Sequence, residues 1–338
     1  MTPVAAVDCG TNSIRLLIAK AGPDHTLVEL DRRLEIVRLG QEVDATGEFH
    51  PDALARTFTA TDAYAAAIRA AGVPQDKIHF VATSAARDAR NRDVFFAGIR
   101  DRLGVDPDVI SGEREAHLSF VGALSGVSDA PEPILVMDIG GGSTELITGS
   151  RDGEVQSAQS LDIGSVRITE RFWPHAQPRP EELGAAAGYI DDLLDASGVD
   201  FSRVQTWIGV AGTATTLAGV YLGFDTYDRS QVHRSKLPIA AVGDLLAMLS
   251  SSTVEEIRAI KSMHPQRADV ITAGTLIVGR IAQRISAAEL VVSESDILDG
   301  IALELVDTPE TSRPAEIPRT AETPRTPETP RTPETMPQ

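Results

Sequence analysis

Two rhythms of apolar residues alternate along the chain. Short unbroken runs at Val4–Asp8, Ile14–Ala19, Ile78–Ala82 and Val109–Ile110 have the composition and flanking turn residues of strands. Between them lie stretches with helical spacing, over about Asp52–Ala71 and Asp93–Leu103. A second cycle follows, with strands at Ile134–Asp138, Glu145–Gly149, Val155–Leu161 and Trp207–Val210. It has helices near Ser165–Phe172 and Pro180–Ala196, then several more to Val306. Strands alternating with helices predict an α/β fold, and the recurrence of the cycle predicts two similar halves. From Thr308 the pattern stops. Glu returns every six residues at 310, 316, 322, 328 and 334, and Arg at 313, 319, 325 and 331, among Pro and Thr. A segment with so little to bury reads as an extended or disordered tail.

The two cycles share a local pattern. Val7-Asp8-Cys9-Gly10-Thr11-Asn12-Ser13 and Met137-Asp138-Ile139-Gly140-Gly141-Gly142-Ser143-Thr144-Glu145 each put an apolar strand, an aspartate and a glycine-containing turn ahead of another strand. Each reads as a hairpin whose turn faces a ligand. Glycine accepts positive φ, lets the backbone approach a phosphate, and leaves turn N–H groups to point at its oxygens. Two such turns facing across a cleft would grip one phosphate chain. Glu145 lies two residues beyond Ser143 and so projects from the same face. With Asp138 it offers carboxylate oxygens of the kind Mg²⁺ takes. Ala211-Gly212-Thr213-Ala214-Thr215-Thr216 follows an apolar strand and opens a helix, whose N-terminus favours anions; Thr213 suits a plain N-cap equally well. Arg15, among apolar neighbours on its strand, either lines the cleft or faces solvent, and solvent is the expectation.

Charge narrows the partners. A formal net charge of −18 over 338 residues argues against broad binding to nucleic acid or to anionic membranes, but not against a small anionic substrate held by backbone N–H groups, a few arginines and a divalent cation. The single cysteine, Cys9, excludes an internal disulfide and any multi-cysteine metal site, and directly after an apolar run it reads as a core thiol. No apolar run approaches the ~18 residues of a spanning helix, so the expected location is the cytoplasm.

Several ordered blocks resemble the Ppx/GppA phosphatases, part of the actin, sugar-kinase and Hsp70 superfamily. They are Asp8 through Leu17, Ala82-Thr83-Ser84-Ala85-Ala86-Arg87-Asp88-Ala89, Ile110-Ser111-Gly112-Glu113-Arg114-Glu115-Ala116, Asp138 through Glu145, and Ser293 through Gly300. The resemblance implies two actin-like (ribonuclease H-like) domains flanking a central cleft. The first would span 1–124 with about 298–307, and the second 125–297, ahead of the tail at 308–338. It implies the short, two-domain form of the family and hinge closure about the cleft. The implied activity is that of an exopolyphosphatase, with inorganic polyphosphate as substrate. The alternatives are a phosphohydrolase acting on guanosine pentaphosphate or another nucleoside polyphosphate, and a non-catalytic polyphosphate sensor.

Residue by residue, the family's catalytic carboxylate falls on Glu115, with Arg87 contacting phosphate. The phosphate-binding set falls on Thr11, Asn12, Ser13, Gly140, Gly141, Gly142, Ser143, Gly212, Thr213 and Arg267. Asp138, Glu145 and Asp8 fall on the metal site, for Mg²⁺ with Mn²⁺ as the alternative. A homodimer is a further expectation of this kind. Taken alone, Glu115 is an acid near the start of a helix, where it meets the dipole favourably. The chain departs from the family at Arg114, where an acid is usual, at Asp299 in place of Glu, and at Leu298 in place of Arg.

Overall fold

β1 (Val4–Cys9) is the spine of the first half, buried along its whole length. It pairs antiparallel with β2 (Ser13–Ala21) and parallel with β4 (Ile78–Ala82). With β3 (Leu27–Ile36) and β5 (Asp108–Val109) these strands make a mixed sheet of order β3-β2-β1-β4-β5. The second half repeats the plan. β6 (Ile134–Ile139) pairs antiparallel with β7 (Thr144–Gly149), which pairs with β8 (Val155–Leu161), and β6 runs parallel to β9 (Thr206–Val210). β10 (Lys236–Pro238) and β11 (Glu289–Val292) extend that sheet to the order β10-β11-β9-β6-β7-β8. This computed structural model describes residues 2–23, 26–127, 129–173, 175 and 177–307; the tail expected at 308–338 lies outside the described residues.

Side chains along a strand alternate between faces, and the cores follow that rule. In β1, Ala5, Val7 and Cys9 join one cluster with the helices Pro51–Ala70 and Arg92–Leu103, while Val4 and Ala6 join another beneath the helix Ile297–Asp307. In β6, Leu135, Met137 and Ile139 face one large cluster. Ile134 and Val136 face Ala116, Phe120 and Ala123 of the helix Gly112–Gly126. Cys9 is a buried free thiol, as its apolar neighbours required.

The helix Gly112–Gly126 packs against Ile297–Asp307 and also against β7 and β8, so it touches both halves. Ser111 caps its start, accepting a hydrogen bond from the Arg114 amide at 3.2 Å. Two glycines let the two helices cross at backbone contact. A Cβ on Gly122 would stand 1.8 Å from the Asp296 carbonyl oxygen, and one on Gly300 2.1 Å from that of Leu118. The two-sheet α/β arrangement implied by the family resemblance is the one observed.

Candidate functional site

The same alternation that builds the cores delivers polar pairs to the inner faces of both sheets. Asp8 and Asp138 occupy corresponding positions, one residue from the ends of β1 and β6. Each is directly opposite a charged residue on the neighbouring strand: Asp8 faces Arg15, and Asp138 faces Glu145. Arg15 does not face solvent. Its Nε and Nη2 donate to Asp8 Oδ2 at 3.0 and 2.7 Å, and its Nη1 donates to Asp296. Strand parity forces this outcome, because Arg15 shares its face with buried Leu17 and Ala19.

Each turn after these strands closes on one tight hydrogen bond, from Gly10 N to the Ser13 carbonyl at 2.9 Å and from Gly140 N to that of Ser143 at 3.0 Å. The turns touch. A Cβ on Gly142 would fall 2.5 Å from Thr11 Oγ1, and one on Gly141 3.1 Å from Asn12. None of Gly140–Gly142 adopts positive φ. Gly141 and Gly142 are therefore needed for the approach of one turn to the other, not for the left-handed backbone that the sequence suggested. Thr11 Oγ1 and Asn12 Oδ1 are buried without a protein partner, although both residues line the central cavity.

That cavity, about 680 Å³, is walled by Thr11, Asn12, Ser13 and Gly140–Ser143 and also receives Asp8, Glu115, Asp138 and Asp296. Glu115 is only 8% exposed. Arg87 holds it, donating from Nη1 to Glu115 Oε2 at 2.8 Å and to the Ile110 carbonyl at 3.0 Å. Burial pushes the Glu115 carboxyl up to about 7 despite Arg87, with the charges of Asp138 and Asp8 adding to the rise. Burial likewise raises Asp138 to about 6 against the pull of Arg15 and the 2.7 Å hydrogen bond from Ser119. Glu145 is driven well above the ordinary range by burial and by the carboxylates of Glu115 and Asp138. Burial alone would also raise Asp296, but Arg15 and Arg32 hold it below the usual value.

Arg87 and Glu145 are not among the described residues lining the cavity. Arg87 stands behind Glu115, and Glu145 is buried and receives Ser160 Oγ at 2.7 Å. On the far wall, Arg267 donates to the Gly212 carbonyl at 2.9 Å and to Thr216 Oγ1 at 3.0 Å; burial lowers its pKa, with the positive charge of Arg15 contributing. Thr213 lines the cavity but is no N-cap. The helix Ala211–Leu222 begins two residues earlier, and Thr213 Oγ1 reaches back to the Ile139 carbonyl at 3.4 Å. Beyond Gly212 the lining includes Tyr227, Met263, Val270 and Ile271 among charged neighbours such as Arg229 and Lys261.

Asp296, Arg32, Tyr227 and Arg229 complete the cavity without having been singled out in the sequence. Asp296 lies inside the Ser293–Gly300 block, and that was the only available signal. The divergent Asp299 pairs with Arg32 at 2.9 Å and accepts from the Asp296 amide at 3.0 Å, while Arg114 pairs with Glu304.

The described side chains around the two turns offer carboxylate, hydroxyl and amide oxygens, with no thiolate and no imidazole among them. This is the set a hard cation prefers. Among the described residues no three His, Cys, Asp or Glu side chains converge into a cage. Mg²⁺ does not need one, because it commonly takes one or two carboxylates together with substrate phosphates and waters. The donor set therefore fits Mg²⁺.

The raised carboxyl of Glu115 makes stability depend on pH. The folded state holds the proton up to about 7, where an ordinary glutamate carboxyl releases it near 4.5. Its contribution is favourable at low pH and falls as pH rises between those two values. Without divalent cation, the melting temperature of Glu115→Gln is therefore expected to gain on that of wild type between about pH 5 and pH 7.5. A melting-temperature difference constant across that range would overturn the assignment.

The profile of the Ppx/GppA phosphatase family matches residues 17–308. Exopolyphosphatase 2 of Mycobacterium tuberculosis is 44% identical over 319 residues, covering 90% of this chain and 99% of that protein. A crystal structure described as an exopolyphosphatase-like protein superposes with a TM-score of 0.84 at 39% identity, covering 90% of this chain and 97% of the other. The crystal structure of an exopolyphosphatase from Cytophaga hutchinsonii gives 0.83 at 27% identity, covering 90% and 98%.

Proposed function

Because this chain belongs to the Ppx/GppA phosphatase family, we propose that it is an exopolyphosphatase, releasing terminal phosphate from inorganic polyphosphate by in-line attack of water. The observation that carries this reading is the buried Glu115, held by Arg87 on the wall of a cavity that two glycine-containing turns also line. A carboxyl poised near 7 is matched to taking a proton from water at neutral pH. Arg87 fixes its orientation. N–H groups of the Gly10–Ser13 and Gly140–Ser143 turns orient the phosphate chain in the cavity that both turns line, and Arg15 and Arg267 stand along its wall.

Asp138 would hold Mg²⁺, with Asp8 beside it and Glu145 behind the wall. When bound, the ion would neutralise charge on the transferred phosphoryl group and its leaving chain. Mn²⁺, with similar oxygen preference, is the substitute. We place the activity in the cytoplasm, which the lone buried thiol supports; among the described residues no helix is long and apolar enough to cross a membrane. The net charge of −18 supports the reading that nucleic acid is not a partner, whereas homodimer formation rests on the family resemblance alone.

A second reading, a phosphohydrolase of guanosine pentaphosphate, draws on the far wall, where Tyr227, Met263, Val270 and Ile271 offer a surface for a base. Phosphate release from short and long polyphosphate, guanosine pentaphosphate and ATP, with Mg²⁺ or with EDTA, separates the two. The expected result is fastest release from polyphosphate, lost in EDTA and restored by excess Mg²⁺. Release that survives the chelator would sink the metal assignment, and a guanosine substrate turned over faster would favour the second reading.

A further inference from the structure

Behind the two facing turns, on the side away from the main cavity, lies one arginine that the proposed chemistry does not use. Arg167, on the helix Ser165–Phe172, has a side chain only 13% exposed. Its Nε donates to the Gly142 carbonyl at 2.8 Å. Its Nη2 donates to Asp88 Oδ2 at 2.7 Å and lies 3.4 Å from Ser84 Oγ, and its Nη1 donates to Asp44. Gly142 belongs to the turn after β6, in the second half. Ser84 and Asp88 sit on the short helix Ser84–Asp88 of the first half, which also carries Arg87.

One planar group thus ties the carbonyl side of the phosphate-facing turn to the helix that supplies the Arg87 grip on Glu115. Gly142 and Ser84 both line the main cavity, whereas Arg167 does not. A guanidinium suits the task because its donors leave in fixed directions in one plane, so it sets a distance and an angle together. A lysine ammonium could keep the charge but not the plane. A small void of about 20 Å³ adjoins the contact, lined by Thr11, Asp44, Asp88 and Arg167 among others.

We propose that Arg167 is a positioning residue that sets the spacing between the Gly140–Gly142 turn and the Arg87–Glu115 pair. The inference rests on the phosphohydrolase reading above. A misplacement of about 1 Å at such a site can cost about a hundredfold in rate. The test compares wild type, Arg167→Lys and Arg167→Ala in phosphate release from polyphosphate, with KM and kcat resolved separately and melting temperatures in parallel. Millimolar guanidinium is then added to the alanine variant.

The expected result is a fall of about a hundredfold in kcat/KM for Arg167→Ala, shared between KM and kcat. The lysine variant recovers stability more fully than turnover, and guanidinium restores part of the lost rate by entering the vacated site between Asp44 and Asp88. The proposal is overturned if Arg167→Ala stays within about threefold of wild type in both constants, or if Lys restores kcat fully; should the alanine variant not fold, the lysine variant alone decides. Failure of the underlying reading looks different, since wild type itself would then release no phosphate.

Discussion

Replacing Glu115 by glutamine is expected to lower phosphate release by about a thousandfold, in the range typical of a lost general base, while leaving the protein at least as stable as wild type. Glutamine keeps the shape and an oxygen that can accept from Arg87, now 2.8 Å from the carboxylate. It removes the group that burial makes costly to ionise. Turnover measured in saturating substrate and Mg²⁺, beside a melting curve at pH 8, checks both halves of the statement. A variant that keeps a tenth or more of the rate would show that the water is activated elsewhere. A large drop in melting temperature would show that the lost rate reports damage to the fold and not lost chemistry.

The second large effect concerns the helix crossing. Gly300→Ala is expected to destabilise the protein by about 3 kcal/mol, the upper end of overpacking costs, because the new methyl would stand 2.1 Å from the Leu118 carbonyl oxygen. That atom is backbone and has no rotamer with which to yield. The loss comes despite the gain of about 1 kcal/mol that alanine brings to a helix over glycine. Gly184→Ala is the control, since among the described residues nothing outside the helix's own backbone lies within 4 Å of the added Cβ on the helix Pro180–Ala196. Its expected effect is a small gain. Chemical denaturation of the two variants with wild type decides the matter, and equal midpoints for both would refute the crossing as a constraint.

What could be read before the structure was available follows from which forces are local. β1 and β6 were legible because a wholly apolar run ending in aspartate and glycine leaves few other conformations. β3 was missed for the opposite reason. It is an edge strand whose residues Glu29, Asp31, Arg32, Arg33 and Glu35 break any apolar run, and its pairing with β2 does not depend on burial. The facing turns were expected, and the structure brings Thr11–Ser13, Gly140–Ser143, Asp138 and Glu115 to one cavity.

The reason for the glycines was not legible, because contact between segments some 130 positions apart leaves no mark on either one. Arg15 shows the same limit. Strand parity and Asp8 are nearby, but its second partner, Asp296, is 281 residues away, so the pair of carboxylates that holds the guanidinium inside leaves no complete mark on the local sequence. Glu115 read alone was an ordinary helix-start acid. Only the surrounding motif raised it above that, and its burial among other carboxylates depends on how two sheets close on one helix.

That helix has a mechanical consequence. A rotation of one sheet against the other would have its axle where Gly112–Gly126 and Ile297–Asp307 touch, because the first helix packs on β7 and β8, the second on β1 and β2, and the two approach to backbone contact there. Displacement in a rotation grows with distance from the axle. Leu118, at the contact, is one helical turn from Glu115, so the acid would stay nearly still while parts of the cleft farther from the crossing swept the wider arc. The jaws would move and the anvil would not, so substrate could be admitted and released without the group that directs the attacking water having to be repositioned at each turnover.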